Sequence, residues 1–298
     1  MTGEEDRYGM RLADGQGWHF TATPETREWV KKLAGIMELE TGDTGEYPEI
    51  IFARREPGFK GLICRLESKI HNDLPKTGWR SQGRKWLRFW SHRNLPDTIC
   101  ELGHEGARAM NYLVMWFSLF PVYQQTQHRG GISLHAALVE RDGIGVLLAA
   151  PGEVGKSTCC RRIPRPWSSR CDDETMVVRV NGNGYMAHPF PTWSDYMWQD
   201  SGRTWNVQRG ISLAAIFFLL QAETDEVIPL GQGQTALLIN RSESCVVLRN
   251  REILDREEVM ASRMRSFRNA CGIAKAIPGY ILRFSRSGRF WEEIEKVL

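Results

Sequence analysis

The chain predicts an α/β fold with a mixed sheet at 128–298, preceded by a small α+β module at 1–127. Three observations carry that expectation. A buried strand-like run, Gly145–Ala149, feeds straight into a glycine-containing loop that ends in Gly-Lys-Ser. Apolar residues recur at helical spacing before Arg129-Gly130-Gly131 and in strand-like runs after it. The length, 298 residues, is enough for two modest domains.

Taken in order, residues 8–20 carry two short strand runs about Asp14-Gly15, which reads as a hairpin. Thr23-Pro24-Glu25-Thr26 then reads as a helix start, with Thr23 as N-cap and Pro24 in the first turn. Trp29, Val30, Leu33, Ile36 and Met37 follow at helical spacing. Tyr47–Arg54 and Gly61–Leu66 are read as strands. Residues 67–95 interleave Lys76, Arg80, Arg84, Arg88 and Arg93 with Trp79, Trp86, Phe89 and Trp90. That pattern fits a peptide-gripping surface, a single-stranded nucleic-acid platform, or an edge element with aromatics packed inward and arginines left wet. From Glu105 to Gln127 the helical spacing returns, interrupted by Pro121.

Composition narrows the function classes. Lys and Arg number 39 against 36 Asp and Glu, a net charge of +3, too near balance to argue for nucleic acid. No run approaches the roughly 18 apolar residues that a membrane span needs. The acidic start, MTGEEDRYGM, holds no signal-peptide core, so a cytoplasmic protein is expected. The seven cysteines form no C-x-x-C pair and are expected as reduced, packed thiols. A metal site from Cys159, Cys160 and Cys171 is the sharper alternative to that packing.

The chemistry concentrates in the second part. Ile132–Glu140 reads as a strand and Arg141-Asp142-Gly143 as a turn. After Gly145–Ala149 comes Ala150-Pro151-Gly152-Glu153-Val154-Gly155-Lys156-Ser157-Thr158. A strand, then such a loop, then a helix opening at Gly-Lys-Ser is the arrangement of a phosphate-binding loop. Pro151, Gly152, Glu153, Val154, Gly155, Lys156, Ser157 and Thr158 are its candidate binding residues, the N–H groups of all but Pro151 converging on phosphates at a helix start. Lys156 would reach the β- and γ-phosphates of ATP, and the Ser157 hydroxyl would ligate Mg²⁺. Ala150 stands where the strict pattern has its first glycine.

Asp172-Asp173 begins 16 residues after Lys156. Pro164 and Pro166 end the intervening helix early. The spacing therefore predicts a helix and a return to the sheet with no strand between, and the pair at the start of a strand spanning Cys171–Val180. Two carboxylates beside phosphates can divide the work, one holding metal and one accepting a proton from an attacking hydroxyl. Asp173 is assigned the metal with Ser157, and Asp172 the base, a division that the sequence itself leaves open. Arg161 and Arg162 either reach phosphate oxygens or complement the dipole of their short helix. His188-Pro189-Phe190-Pro191-Thr192-Trp193-Ser194 is either a rigid acceptor-binding loop or an ordinary connection.

These residues resemble the catalytic domain of HPr kinase/phosphorylase, which carries a histidine upstream of its phosphate loop and an Asp-Asp pair downstream. His135, 21 residues before Lys156, stands at the place of that histidine. The bacterial enzyme's M-E-[IV]-R-G-x-G motif is absent, which sets phosphorolysis and the HPr substrate aside. P-G-x-x-G-K-S-T-C-C-R-R, C-D-D-E and H-P-F-P-T-W-S look closer to a smaller branch, HPr-kinase-like proteins encoded with peptide-modifying radical enzymes, such as the C protein of the SynChlorMet cassette. The resemblance covers about 130–298. It implies an HPr-kinase-like P-loop domain that transfers the ATP γ-phosphoryl group to a Ser or Thr hydroxyl. It implies as acceptor a peptide or small protein, such as a ribosomal-peptide precursor, with Lys156, His135, Asp172 and Asp173 as catalytic residues. A non-catalytic ATP-binding recruitment protein is the rival, and a homo-oligomer stays open.

Overall fold

Two mixed sheets organise the chain in a computed structural model that describes residues 6–42, 45–55, 62, 66, 74–104, 106–180, 184–199, 201–250 and 253–298. Two compact units contain them, the first made of 1–122, 193–208 and 252–254, the second of 123–192, 209–251 and 255–298. Residues 193–208 thus cluster with the first unit although they follow Gly131 in sequence.

In the first unit, β1 (Arg7–Arg11) and β2 (Gly17–Ala22) form the antiparallel hairpin expected about Asp14-Gly15. A 3-10 turn at Pro24–Thr26 leads into α1 (Arg27–Ile36), and the Thr23 amide donates to Thr26 Oγ1 at 3.0 Å. Trp29, Val30 and Leu33 make the buried face that the helical spacing required. β2 then runs parallel to β4 (Glu49–Arg54), and β4 parallel to β7 (Thr98–Leu102). Of the strand expected at Gly61–Leu66, only Leu62 and Leu66 lie among the described residues, and both are helical. Both are fully buried in a cluster with Ile51 and Ile99.

The basic-aromatic stretch forms β5 (Trp79–Arg84) and β6 (Leu87–His92), with β5 at the sheet edge. Leu87 and Phe89 are buried, while Arg80 and Arg84 stay exposed. The stretch thus forms an edge strand and its neighbour, with Phe89 inward, Trp79, Trp86 and Trp90 half-buried and Arg80 and Arg84 wet. The helical run divides into α2 (Arg108–Ser118) and α3 (Phe120–His128), with Pro121 in the first turn of α3, where a proline costs no hydrogen bond. α5 (Trp193–Trp198) packs beside α2 through Tyr112 and Tyr196, whose rings lie 5.0 Å apart.

In the second unit the expected strand at Ile132–Glu140 is broken at His135 into β8 (Ile132–Leu134) and β9 (Ala136–Arg141). β8 pairs with β12 (Glu174–Arg179), whereas β9 pairs with β10 (Ile144–Ala149) and β11 (Ser168–Cys171). α4 (Lys156–Arg162) is as short as Pro164 and Pro166 require. The expectation of no strand between α4 and the aspartates is corrected by β11, which fits because it is a four-residue edge strand. Asp172 and Asp173 consequently sit in the turn between β11 and β12 and not inside a strand.

β13 (Tyr185–Phe190) and β14 (Ile211–Gln221) continue the sheet. β14 is a near-continuous apolar run, as a strand covered on both faces should be. It lies parallel to β10 on one side and to β16 (Gly279–Phe284) on the other, with β15 (Glu226–Pro229) beyond β16. Val146, Leu148, Phe217, Leu219 and Leu282 point to one face, where they meet Cys159 of α4 and Phe290 and Ile294 of α8 (Phe290–Glu295). α6 (Gln232–Asn250) and α7 (Arg256–Ala276) complete the unit. Among the described residues no helix is long and apolar enough to cross a membrane.

Candidate functional site

Strand β10 ends at Ala149, and the chain turns through the expected phosphate-binding loop before α4 begins at Lys156. Two positive backbone angles shape that loop, φ 66° at Glu153 and φ 120° at Gly155. Gly155 occupies a conformation that a side chain would strain, and a Cβ there would also stand 3.0 Å from Phe284 Cζ. Cys159 N donates to Gly155 O at 2.9 Å. The amides of Lys156, Ser157 and Thr158 therefore precede the first intrahelical bond, at the positive end of the helix. Gln221 Nε2 donates to Val154 O at 2.9 Å and ties the loop to the end of β14. Pro151, Gly152 and Glu153 face solvent, whereas Lys156 is only 6% exposed.

The Lys156 ammonium is held inside the loop, donating to Ala150 O at 2.9 Å and to Pro151 O at 3.3 Å. Its Nζ also lies 3.0 Å from His135 Nε2. The same ring nitrogen stands 2.9 Å from Asp173 Oδ1. One nitrogen can accept from the ammonium or donate to the carboxylate, but not both. His135 Nδ1 is buried with no hydrogen-bond partner among the described groups, so the far side of the ring fixes neither tautomer. The proton on His135 is thus poised to follow whatever draws Lys156 away.

The chain break at His135 gives the ring its place. Its backbone is clamped by α6: His135 N donates to Ser242 O at 3.4 Å, and Ser242 Oγ donates to His135 O at 3.2 Å. Sequence reading missed Ser242, since it acts through backbone contacts from more than a hundred residues away. Asp172 Oδ1 accepts from Thr192 Oγ1 at 2.8 Å, which fixes the carboxylate in the turn. Thus His135, Lys156 and Asp173 come together directly, with Asp172 adjacent and oriented by Thr192.

Other candidates part from this cluster. Arg162 Nη1 donates to Ser285 O at 2.8 Å, Nη2 donates to Gly288 O, and the guanidinium lies over Phe290. Arg161 Nη2 donates to the Thr158 hydroxyl of its own helix at 3.4 Å. Arg162 is thus engaged with the β16–α8 loop. The expected Pro-rich loop is corrected: His188–Phe190 is the end of β13 and Trp193 opens α5. His188 and Trp193 are 0% and 1% exposed and present nothing to an acceptor, while Thr192 serves Asp172.

Cys159 and Cys171 are packed, and burial pushes both thiols up to about 12. Cys171 Sγ donates to Glu174 O at 3.0 Å, so packing accounts for these cysteines. Cys64 and the side chain of Cys245 lie outside the described residues. Among the described residues no three His, Cys, Asp or Glu side chains converge as a metal cage. Mg²⁺ ordinarily needs only one or two protein ligands, with phosphate oxygens and water completing its shell. Ser157 and Asp173 carry oxygen donors of the kind that ion takes, and the buried ammonium beside the exposed loop residues 151–153 suits a polyphosphate.

The model of the family described as SynChlorMet cassette protein ScmC matches residues 98–298. No curated protein matches the chain. The chain belongs to the ScmC family.

Proposed function

We propose that this ScmC-family chain is a Mg-ATP-dependent kinase of HPr-kinase-like fold. Its acceptor is a Ser or Thr hydroxyl in a peptide or small protein, such as a ribosomal-peptide precursor. One observation carries the reading: a buried lysine inside a strand–loop–helix turn, within hydrogen-bond distance of a histidine that also touches one of two adjacent aspartates. That set offers a positive charge for the terminal phosphates, a carboxylate for the metal and a second carboxylate, oriented by Thr192, for proton transfer.

In this reading the backbone N–H groups from Gly152 to Ser157 and the Lys156 ammonium bind the phosphates, with Pro151 shaping the loop. Ser157 and Asp173 would hold Mg²⁺, which would supply positive charge to offset that of the phosphates. Asp172, oriented by Thr192, accepts the proton of the acceptor hydroxyl. The acceptor oxygen forms a bond to the γ-phosphorus as the bond to the β–γ bridging oxygen breaks, and ADP leaves with that electron pair. Lys156, drawn toward the phosphates, releases His135 Nε2 to donate to Asp173 and hold that carboxylate in place.

Incubation with Mg-ATP and serine-containing peptides, read by mass spectrometry, tests the proposal. A gain of one phosphoryl group on a serine or threonine supports it. Tight ATP binding with no phosphate on any peptide or protein acceptor would instead favour a non-catalytic recruitment role.

A further inference from the structure

A cavity of about 290 Å³ opens beside this cluster. It sits near the lower end of the roughly 300–1,000 Å³ range of ligand pockets, and would hold about ten waters at roughly 30 Å³ each. Phe218, Leu219 and Leu220 at the end of β14 and Ile281 of β16 line it. Leu238 of α6 closes the opposite side, and Arg241 and Ser242 supply polar groups. Leu220 is 52% exposed, which puts apolar surface at the mouth.

Two contacts fix where the cavity lies relative to the chemistry. It touches the loop at Ala150 and Pro151, whose carbonyls hold the Lys156 ammonium. It also includes Ser242, which clamps the backbone of His135. In a phosphate loop the amides cradle the inner phosphates, whereas the lysine reaches the terminal ones. The cavity therefore borders the terminal-phosphate end, where an acceptor arrives, and not the nucleoside end.

We propose that this cavity is an acceptor subsite that takes one large apolar side chain, aliphatic or aromatic, next to the phosphoryl-accepting Ser or Thr of a peptide. The naming of that residue as acceptor rests on the kinase reading, while the binding preference stands on the cavity itself. Filling such a pocket with a leucine or phenylalanine side chain strengthens binding by roughly ten- to a hundredfold.

The test is fluorescence anisotropy with paired labelled peptides, Leu or Phe against Asp beside the serine, on the full chain with and without Mg²⁺ and a non-hydrolysable ATP analogue. The apolar peptides should bind roughly ten- to a hundredfold more tightly. Leu238→Trp, which fills the cavity, and the half-exposed Leu220→Glu should each erase the preference and leave analogue affinity unchanged. Equal or absent binding of the paired peptides overturns the subsite. Loss of analogue affinity in both variants, with peptide preference intact, would assign the cavity to the nucleobase and also overturn it. Phosphoryl transfer is read separately: an intact preference without transfer defeats the kinase reading and leaves the apolar peptide site standing.

Discussion

Glu243 offers a perturbation whose magnitude can be worked from the structure. It lies on α6 next to Ser242, only 3% exposed, and its Oε1 accepts from Ser266 Oγ at 2.5 Å and Gln127 Nε2 at 3.2 Å. Gln127 is itself held by Ser262 Oγ at 3.0 Å, so three helices converge on the carboxyl. Burial pushes that carboxyl up from 4.5 to about 7, against the downward pull of the two hydrogen bonds. The folded state therefore holds the extra proton between those values, and stability falls as pH rises from about 4.5 through about 7. A shift of roughly 2.5 units at about 1.36 kcal/mol each makes the full loss about 3 kcal/mol. Glu243→Gln keeps the acceptor oxygen and cannot ionise. Its stability relative to the natural chain should be near parity or slightly negative at pH 5 and should improve by up to about 3 kcal/mol by pH 8. Thermal melts across that range would show it, at about 2–4 °C per kcal/mol for domains of 150–250 residues. A difference between the two proteins that stays flat from pH 5 to pH 8 would refute the reasoning.

Three further outcomes are expected. Gly155→Ala should lower the melting temperature by the equivalent of about 1–3 kcal/mol and weaken ATP binding in titration calorimetry, since φ is 120° and Phe284 blocks the added methyl. Thr192→Val should slow phosphoryl transfer about tenfold or more with ATP affinity unchanged, because a hydrogen bond to a charged group contributes about 1.5–3 kcal/mol; Thr192→Ser should restore the rate. In mass-mapped alkylation of the native chain at pH 8, exposed Cys271 should react, while buried Cys159 and Cys171, with thiols near 12, should stay unmodified.

Features with a local cause were legible in sequence. The hairpin about Asp14-Gly15, the start at Thr23-Pro24 and the division of the long helix at Pro121 all depend on residues within a few positions of one another. The strand–loop–helix turn around Lys156 is of the same kind. What escaped depends on distant partners. The break at His135 arises because β8 leaves β9 to pair with β12, and α6 seals it through Ser242. β11 reads Ser-Ser-Arg-Cys, with no apolar alternation, and becomes a strand only because β9 presents an open edge. The Pro-rich stretch looked like a loop because each proline argues against a ladder. Pro189 nevertheless sits within β13, paired across from Thr175, and the stretch runs from strand into helix, with Thr192 donating to Asp172.

The account stands or falls on Asp172, the carboxylate assigned to take the acceptor's proton. Single-turnover transfer from γ-labelled ATP to a serine peptide, measured alongside ATP affinity for the natural chain and Asp172→Asn, tests it most directly. The account predicts unchanged ATP affinity and a transfer rate lowered by about 10²–10⁴, the usual contribution of a positioned base. Transfer at the natural rate in Asp172→Asn, or no transfer to any hydroxyl by the natural chain, would contradict it.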